Sequence, residues 1–139
     1  MNKENVLSYN ILRIGLAVTI LWFGISQLMN PMYWTGYLPE FLISQSFISL
    51  NTLVYLNGVF EIILSFLLFM NKYVKITSII MSIHLFFIII TLGFNEIGVR
   101  DFGILVGFVA LVPISSNNEF SFRKIKKYNR NKRVNKIKF

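Results

Sequence analysis

Cysteine is absent from this chain of 139 residues, and histidine occurs once, as His84. The absence of thiols excludes disulfide exchange, thiolate catalysis, iron–sulfur clusters and cysteine-ligated zinc within the chain. A haem held by two histidines, or a histidine-rich metal centre, cannot be built from a single imidazole, although an oligomer would supply more. We therefore expect no metal site and no covalently bound cofactor in one copy of the protein.

Charged residues are also scarce. They make up 14% of the chain, whereas hydrophobic residues make up 55% and the mean hydropathy is +0.61. Soluble domains average about 25% charged residues, so this apolar surplus is too large for a water-soluble core and lipid must cover it. The sequence also shows no nucleophile–base pair, glycine-rich phosphate loop or metal-ligand cluster, which argues against a soluble enzyme.

Four apolar runs fill most of the sequence, at about residues 9–29, 48–70, 74–94 and 99–114. Three of them have the ~20 residues that a helix needs to cross a hydrocarbon core of ~30 Å. The fourth is short, and we expect it either to start earlier or to lie where the bilayer is thinner. Because short connections between helices require antiparallel neighbours, the sequence predicts an all-α fold, a transmembrane up-down four-helix bundle over residues 9–114.

Basic residues are concentrated after the bundle. Residues 115–139 hold nine of the 14 Lys and Arg residues of a chain whose net charge is +8. Together with Lys72 and Lys75 in the second connection, this pattern places residues 1–8 and the basic tail in the cytoplasm by the positive-inside rule. Each basic residue near an anionic leaflet contributes on the order of 1 kcal/mol. We therefore expect the tail to rest on anionic lipids of the cytoplasmic (plasma) membrane, with no nucleic-acid partner.

Several polar residues lie in or at the edge of the predicted spans, where a charge costs about 2.5–3.5 kcal/mol on insertion scales and normally faces the bundle interior. They are our candidates for a ligand or proton site: Arg13, Asn57, Glu61, His84, Arg100 and Asp101. Glu61 and His84 both fall near mid-membrane on helices joined by a tight turn, so they are placed to meet. Such a pair is either a structural hydrogen bond between helices or a ligand- or proton-handling site, and its charge state stays open.

The other candidates have alternatives of their own. Asn57 lies one turn from Glu61 and extends the same polar face. Arg13 either reaches the head groups along its own stem or points inward towards Glu61. Arg100 and Asp101 begin the fourth run, where an acidic residue suits the first helical turn. A Gly-x-x-x-Gly pattern marks a packed helix face within the bundle or between copies, at Gly103 and Gly107.

Taken together, these segments resemble the DoxX-like family of small four-helix membrane proteins over roughly residues 9–114. The resemblance rests on the segments Arg13–Gly15, Trp22–Pro31, Asn57–Glu61 and Arg100–Gly107. It departs from the family at Gln27, where a basic residue is expected. The resemblance implies a bundle in the cytoplasmic membrane that is associated with respiratory or quinone-linked redox chemistry, and it carries over Arg13, Glu61, Arg100 and Asp101 as functional positions.

The functional hypothesis is a redox-associated membrane protein that binds a quinone-like or other small apolar ligand among its helices. Glu61 and His84 would hydrogen-bond the ring oxygens or move protons. If the protein takes part in catalysis, we expect a quinone-linked oxidoreductase subunit beside a redox partner, rather than a self-sufficient enzyme. Two alternatives remain: a non-catalytic assembly or stress-response subunit, and a subunit for permeation of small solutes or protons, which would need a homo-oligomer.

Overall fold

Six helices make up the structure, a computed structural model that describes the backbone of residues 3–45, 47–93 and 95–137 and the side chains of 5–39, 42–44, 47–93 and 95–116. They are α1 (Lys3–Met29), α2 (Pro31–Thr35), α3 (Glu40–Gln45), α4 (Leu50–Phe69), α5 (Val74–Leu92) and α6 (Glu96–Ile137). Within these residues, α1, α4, α5 and α6 are each long and apolar enough to cross a membrane. The predicted all-α architecture with four helices that could span a membrane is confirmed for the described residues, while the side on which the termini lie stays a prediction.

The fourth span is longer than the sequence pattern indicated. It runs from Glu96 to Ser116, which is 21 residues. The helix begins early because the Asn95 side chain accepts hydrogen bonds from the backbone N–H groups of Ile97 and Gly98, at 3.1 and 2.9 Å. These bonds satisfy donors that a helix start leaves without partners. The backbone of α6 then continues to Ile137, and the predicted lipid contacts of the basic tail lie outside the described side chains.

Short local signals set the other helix boundaries. Pro31 occupies the first turn of α2, where its missing N–H carries no penalty. Ser49 caps α4 by accepting a hydrogen bond from the backbone N–H of Thr52 at 3.2 Å. Between α4 and α5 the chain reverses within a few residues, because Asn71 and Tyr73 both adopt left-handed φ angles, of 55° and 52°. The tight turn makes α4 and α5 antiparallel.

The bundle consists of two closely packed helix pairs. α1 has its most extensive interface with α4, and α5 has its most extensive interface with α6, whereas α4 and α5 touch sparsely despite the short turn between them. The α1/α4 pair is close because Gly24 and Gly58 face each other: a Cβ at Gly24 would lie 2.7 Å from the carbonyl oxygen of Gly58. Glycine at both positions lets the two backbones meet.

A buried hydroxyl group forms a second close contact between α1 and α4. Ser65 donates a hydrogen bond to the carbonyl oxygen of Ala17 at 2.8 Å, and both residues have no exposed surface. We expect Ser65→Ala to lower the free energy of unfolding by about 1 kcal/mol, the usual net value of one such bond. Detergent-titrated unfolding measures the change. Ser82→Ala is the matched control, because the Ser82 hydroxyl bonds only within its own helix, to Ser78, and an equal loss in both variants would contradict the interhelical role.

Candidate functional site

A cavity of about 560 Å³ lies between the two helix pairs. Its walls are mainly apolar and come from all four spans, with Ile20 and Phe23 of α1, Val54 of α4 and Leu85 and Ile88 of α5 among them. The segment that holds α2 and α3 closes one end. Polar side chains occur at two places, which we call the polar base (Gln27, Asn57, Glu61 and His84) and the mouth pair (Arg100 and Asp101).

The polar base centres on the Glu61 carboxylate, which is 4% exposed. Gln27 Nε2 donates a hydrogen bond to Glu61 Oε2 at 2.9 Å, and Asn57 Nδ2 donates to Glu61 Oε1 at 3.1 Å. Asn57 Nδ2 also donates to Gln27 Oε1 at 2.9 Å. Both carboxylate oxygens therefore accept an amide N–H, and the three side chains hold one another in a closed triangle that fixes the position of the carboxylate.

The close contact between α1 and α4 explains how the triangle forms. Gln27 follows Gly24 by three residues, and Glu61 follows Gly58 by three residues, so each polar side chain lies one turn beyond its glycine. Where the glycines bring the two backbones together, the two side chains are within hydrogen-bonding reach. Asn57 precedes Glu61 by four residues on the same face of α4, which completes the arrangement.

His84 approaches the same carboxylate from α5. Its Nε2 atom lies 3.5 Å from Glu61 Oε1, which is beyond an ordinary hydrogen bond. This buried nitrogen has no hydrogen-bond partner among the described residues, while the ring packs edge-on against Phe60 at 5.3 Å between centroids. The imidazole is thus held within ion-pair distance of a carboxylate, and its Nε2 makes no hydrogen bond among the described residues. Such an imidazole can pass a proton to Glu61 or bond a polar group of a ligand.

The mouth pair lies on α6 and also lines the cavity. Arg100 Nε donates to Asp101 Oδ1 at 2.9 Å, and the guanidinium also sits over the ring of Phe23, 4.5 Å from its centroid. Asp101 is 5% exposed, whereas the Arg100 side chain is 41% exposed. Since the two charges cancel, the pair lines the cavity without adding net charge.

Aromatic side chains of the α2–α3 segment form a cover over the cavity, and Trp34 and Tyr37 line it. Trp34 Nε1 donates a hydrogen bond to the Ser26 hydroxyl at 3.1 Å, which attaches α2 to α1. Tyr37 donates to the Tyr33 hydroxyl at 3.1 Å, and this hydrogen bond raises the pKa of Tyr37. A phenol with a raised pKa stays neutral, so the cover is apolar with polar rims, as expected for aromatics at a membrane interface.

Arg13 is not among the residues that line the cavity, and the contact with Glu61, one of its two predicted alternatives, is not formed. Its guanidinium donates to the backbone carbonyls of Leu68 and Phe69, the second at 3.1 Å, and to Asn10 Oδ1 at 3.2 Å. The residue is 7% exposed, so it does not extend to the head groups either. Instead, it satisfies carbonyls that the last turn of α4 leaves without intrahelical donors.

The two glycines of the predicted packing motif have different surroundings. A Cβ at Gly107 would lie 3.0 Å from Leu16 Cδ2, so this residue packs against α1. A Cβ at Gly103 would meet no atom within 4 Å, and the residue is exposed. Within one copy of the chain, the packed face of α6 thus includes Gly107 and excludes Gly103.

Sequence reasoning gave Gln27 and the aromatic cover no place among the candidates. Gln27 was visible as a polar residue in an apolar run, and its spacing from Gly24 was the signal that it lies beside a close helix contact. The cover carried no such signal, because Trp34 and Tyr37 have the same pattern as ordinary interfacial aromatics. Within the described part of the chain, no cluster of three or more His, Asp or Glu side chains could hold a metal ion.

The fold and the cavity define a multi-pass membrane protein with a polar cluster enclosed between its helices. The family is shown by sequence comparison: the DoxX family model matches residues 9–93, and the chain belongs to the DoxX family. The matched region contains the whole polar base and the aromatic cover, and it ends before the mouth pair on α6. Comparisons with curated proteins and with solved structures found no match.

Proposed function

We propose that this DoxX-family protein binds a quinone-like or other small apolar ligand at the polar base of its cavity. The observation that carries the proposal is the buried Nε2 of His84, which makes no hydrogen bond among the described residues and lies 3.5 Å from Glu61 Oε1. Ring oxygens of a quinone accept hydrogen bonds, and an imidazole N–H is a suitable donor. The cavity volume of about 560 Å³ falls in the range of ~300–1,000 Å³ that is usual for small-molecule sites.

Redox association is part of the same proposal. A chain without cysteine and with one histidine offers few groups of its own to carry electrons, which supports a partner subunit as the electron carrier. Glu61 and His84 would supply or accept a proton at the ligand oxygen, and the amides of Gln27 and Asn57 would hold the carboxylate in place. We place this assembly in the plasma membrane with both termini in the cytoplasm, as the distribution of Lys and Arg favours.

The experiment uses the two tryptophans of the chain. Trp34 lines the cavity, whereas Trp22 is 61% exposed on the lipid-facing side. In a Trp22→Phe background, Trp34 fluorescence reports on the cavity alone, and quenching by a benzoquinone with a decyl tail measures binding in liposomes. We expect saturable quenching in this background, and linear quenching without saturation would contradict the proposal.

His84→Phe, made in that background, tests the role of the imidazole. The substitution keeps an aromatic ring against Phe60 and removes the nitrogen, so we expect about tenfold weaker binding, the equivalent of one lost hydrogen bond. Thr91→Val is the matched control, because Thr91 also lines the cavity but its hydroxyl donates to carbonyls of its own helix. Equal affinities in His84→Phe and Thr91→Val would remove His84 from the site.

A further inference from the structure

One cavity-lining side chain is also part of the lipid-facing surface. Phe87 of α5 lines the cavity and is 61% exposed. It lies five residues before Leu92, the end of a helix of 19 residues, which is about 7.5 Å along the helix axis at ~1.5 Å per residue. The exposed face of Phe87 is therefore at the depth of the acyl chains, and the cavity reaches the outside of the bundle beside it.

The opening lies between α4 and α5. On α5, Phe87 follows His84 by three residues, so it lies one turn away on the side of the helix that faces α4. On α4, Leu53 and Asn57 line the cavity, and Phe60, three residues after Asn57, contacts the His84 ring. Because α4 and α5 have a sparse interface, a gap, which we call the seam, separates them. The Phe60–His84 contact closes the seam at one end, and Phe87 lies along its open part.

We infer that the ligand reaches the cavity sideways from the bilayer through the seam between α4 and α5, and that it is an amphiphile with an oxygen-bearing head and a hydrocarbon tail. The head lies at the polar base, and the tail extends past Phe87 into the acyl chains. This inference rests on the proposed function, and it adds the route and the chemical class of the tail.

The alternative route, through the mouth beneath the aromatic cover, is less suited to a hydrocarbon tail. There the tail would pass the buried carboxylate of Asp101 and the guanidinium of Arg100, and it would end in the head-group region. Apolar chains gain nothing from contact with charged groups, whereas along the seam the tail is surrounded by phenyl rings and lipid. The side chains at the two openings therefore favour the seam as the route of the hydrocarbon tail.

Two benzoquinone probes with the same head, one with a decyl tail and one without, test the inference in liposomes of the Trp22→Phe protein. At equal concentration within the membrane, we expect the tailed probe to bind at least about tenfold more tightly. Phe87→Ala removes the ring beside which the tail extends, keeps Trp34 as the single tryptophan, and should reduce this difference. Phe86→Ala is the matched control, since Phe86 is 52% exposed but does not line the cavity, and its difference should equal that of the parent protein.

A diazirine at the end of the decyl tail locates the exit directly. Cross-links to peptides of α4 and α5 are the expected result, and cross-links to the α2–α3 segment would overturn the lateral route. If both probes bound equally tightly and His84→Phe abolished the binding of both, the lateral route would be overturned. The site at the polar base would then still stand. Binding of neither probe would reject the proposed function itself, and the inference with it.

Discussion

Replacing Gly24 with leucine should destabilise the bundle by at least about 3 kcal/mol. A Cβ at this position would already lie 2.7 Å from the carbonyl oxygen of Gly58 and 2.8 Å from Ile62 Cγ1. The first of these atoms belongs to the helix backbone, which cannot rotate away, so α1 and α4 must separate. Overpacking of this kind usually costs about 1–3 kcal/mol, and leucine adds three further carbon atoms beyond the Cβ.

The same substitution should also weaken ligand binding. Gln27 and Glu61 each lie one turn from the glycine contact, and their hydrogen bond of 2.9 Å depends on the distance between the two helices. We expect saturable quenching of Trp34 to be lost together with the stability measured by detergent-titrated unfolding. Gly24→Ala should lower stability and binding in the same direction but by less. It replaces Gly24→Leu in the experiment if the leucine variant does not accumulate in cells.

Gly15→Leu is the control for this prediction. It places the same side chain in the same helix, at an exposed position where a Cβ would meet no atom within 4 Å. Its free energy of unfolding should stay within about 0.5 kcal/mol of the parent protein, as for most surface changes. Similar losses at Gly15 and Gly24 would show that leucine disturbs α1 in general, and the close contact with Gly58 would lose its explanatory role.

How far the sequence predicts this structure depends on whether a feature is local. The four spans follow from composition and length, because lipid demands about 20 apolar residues per crossing whatever the neighbours are. The meeting of Glu61 and His84 also follows from counting, since each lies at a similar distance along its helix from one tight turn. Both predictions use only the helix rise and a short connection, and neither needs knowledge of how distant helices pack.

The missed features are set by contacts between distant parts of the chain. The partner of Gln27 is determined by the crossing of α1 and α4 at Gly24 and Gly58, residues 34 positions apart. The sequence predicted that Arg13 reaches either the head groups or Glu61, but its acceptors include backbone carbonyls, which every residue carries and which leave no trace in the sequence. A pattern of side chains therefore predicts which residues are buried more readily than it predicts their partners.

The division into two helix pairs also gives the cavity its physical origin. Gly24 and Gly58 allow α1 to pack closely against α4, and the short connection between α5 and α6 makes these two helices neighbours. The cavity lies between the pairs, and the polar base connects α1, α4 and α5 at its wall. A site placed where packing is weakest can admit a ligand at low cost in lost contacts, because the surrounding helices have few contacts to break.

Arg13→Leu is expected to cause the second large loss, and here the loss concerns stability alone. The guanidinium donates to two carbonyls at the carboxyl end of α4, where the helix dipole adds a partial negative charge. Leucine of similar reach would remove both hydrogen bonds and the charge, and it would leave Leu68 O with backbone N–H donors alone, such as that of Asn71. Since hydrogen bonds to charged groups contribute about 1.5–3 kcal/mol each, we expect the free energy of unfolding to fall by about 3 kcal/mol.

Arg13→Lys separates charge from geometry. Arg13 donates to both carbonyls from Nη1 and to Asn10 Oδ1 from Nη2. An ammonium keeps the positive charge but offers a single nitrogen in place of this planar pair, so its loss should be about half as large. Both variants should bind the decyl-tailed quinone with the affinity of the parent protein, because Arg13 lies at the end of the bundle away from the cavity lining. If Arg13→Leu weakened binding while leaving unfolding unchanged, the arginine would belong to the ligand site, and its contacts with the α4 carbonyls would not be its main role.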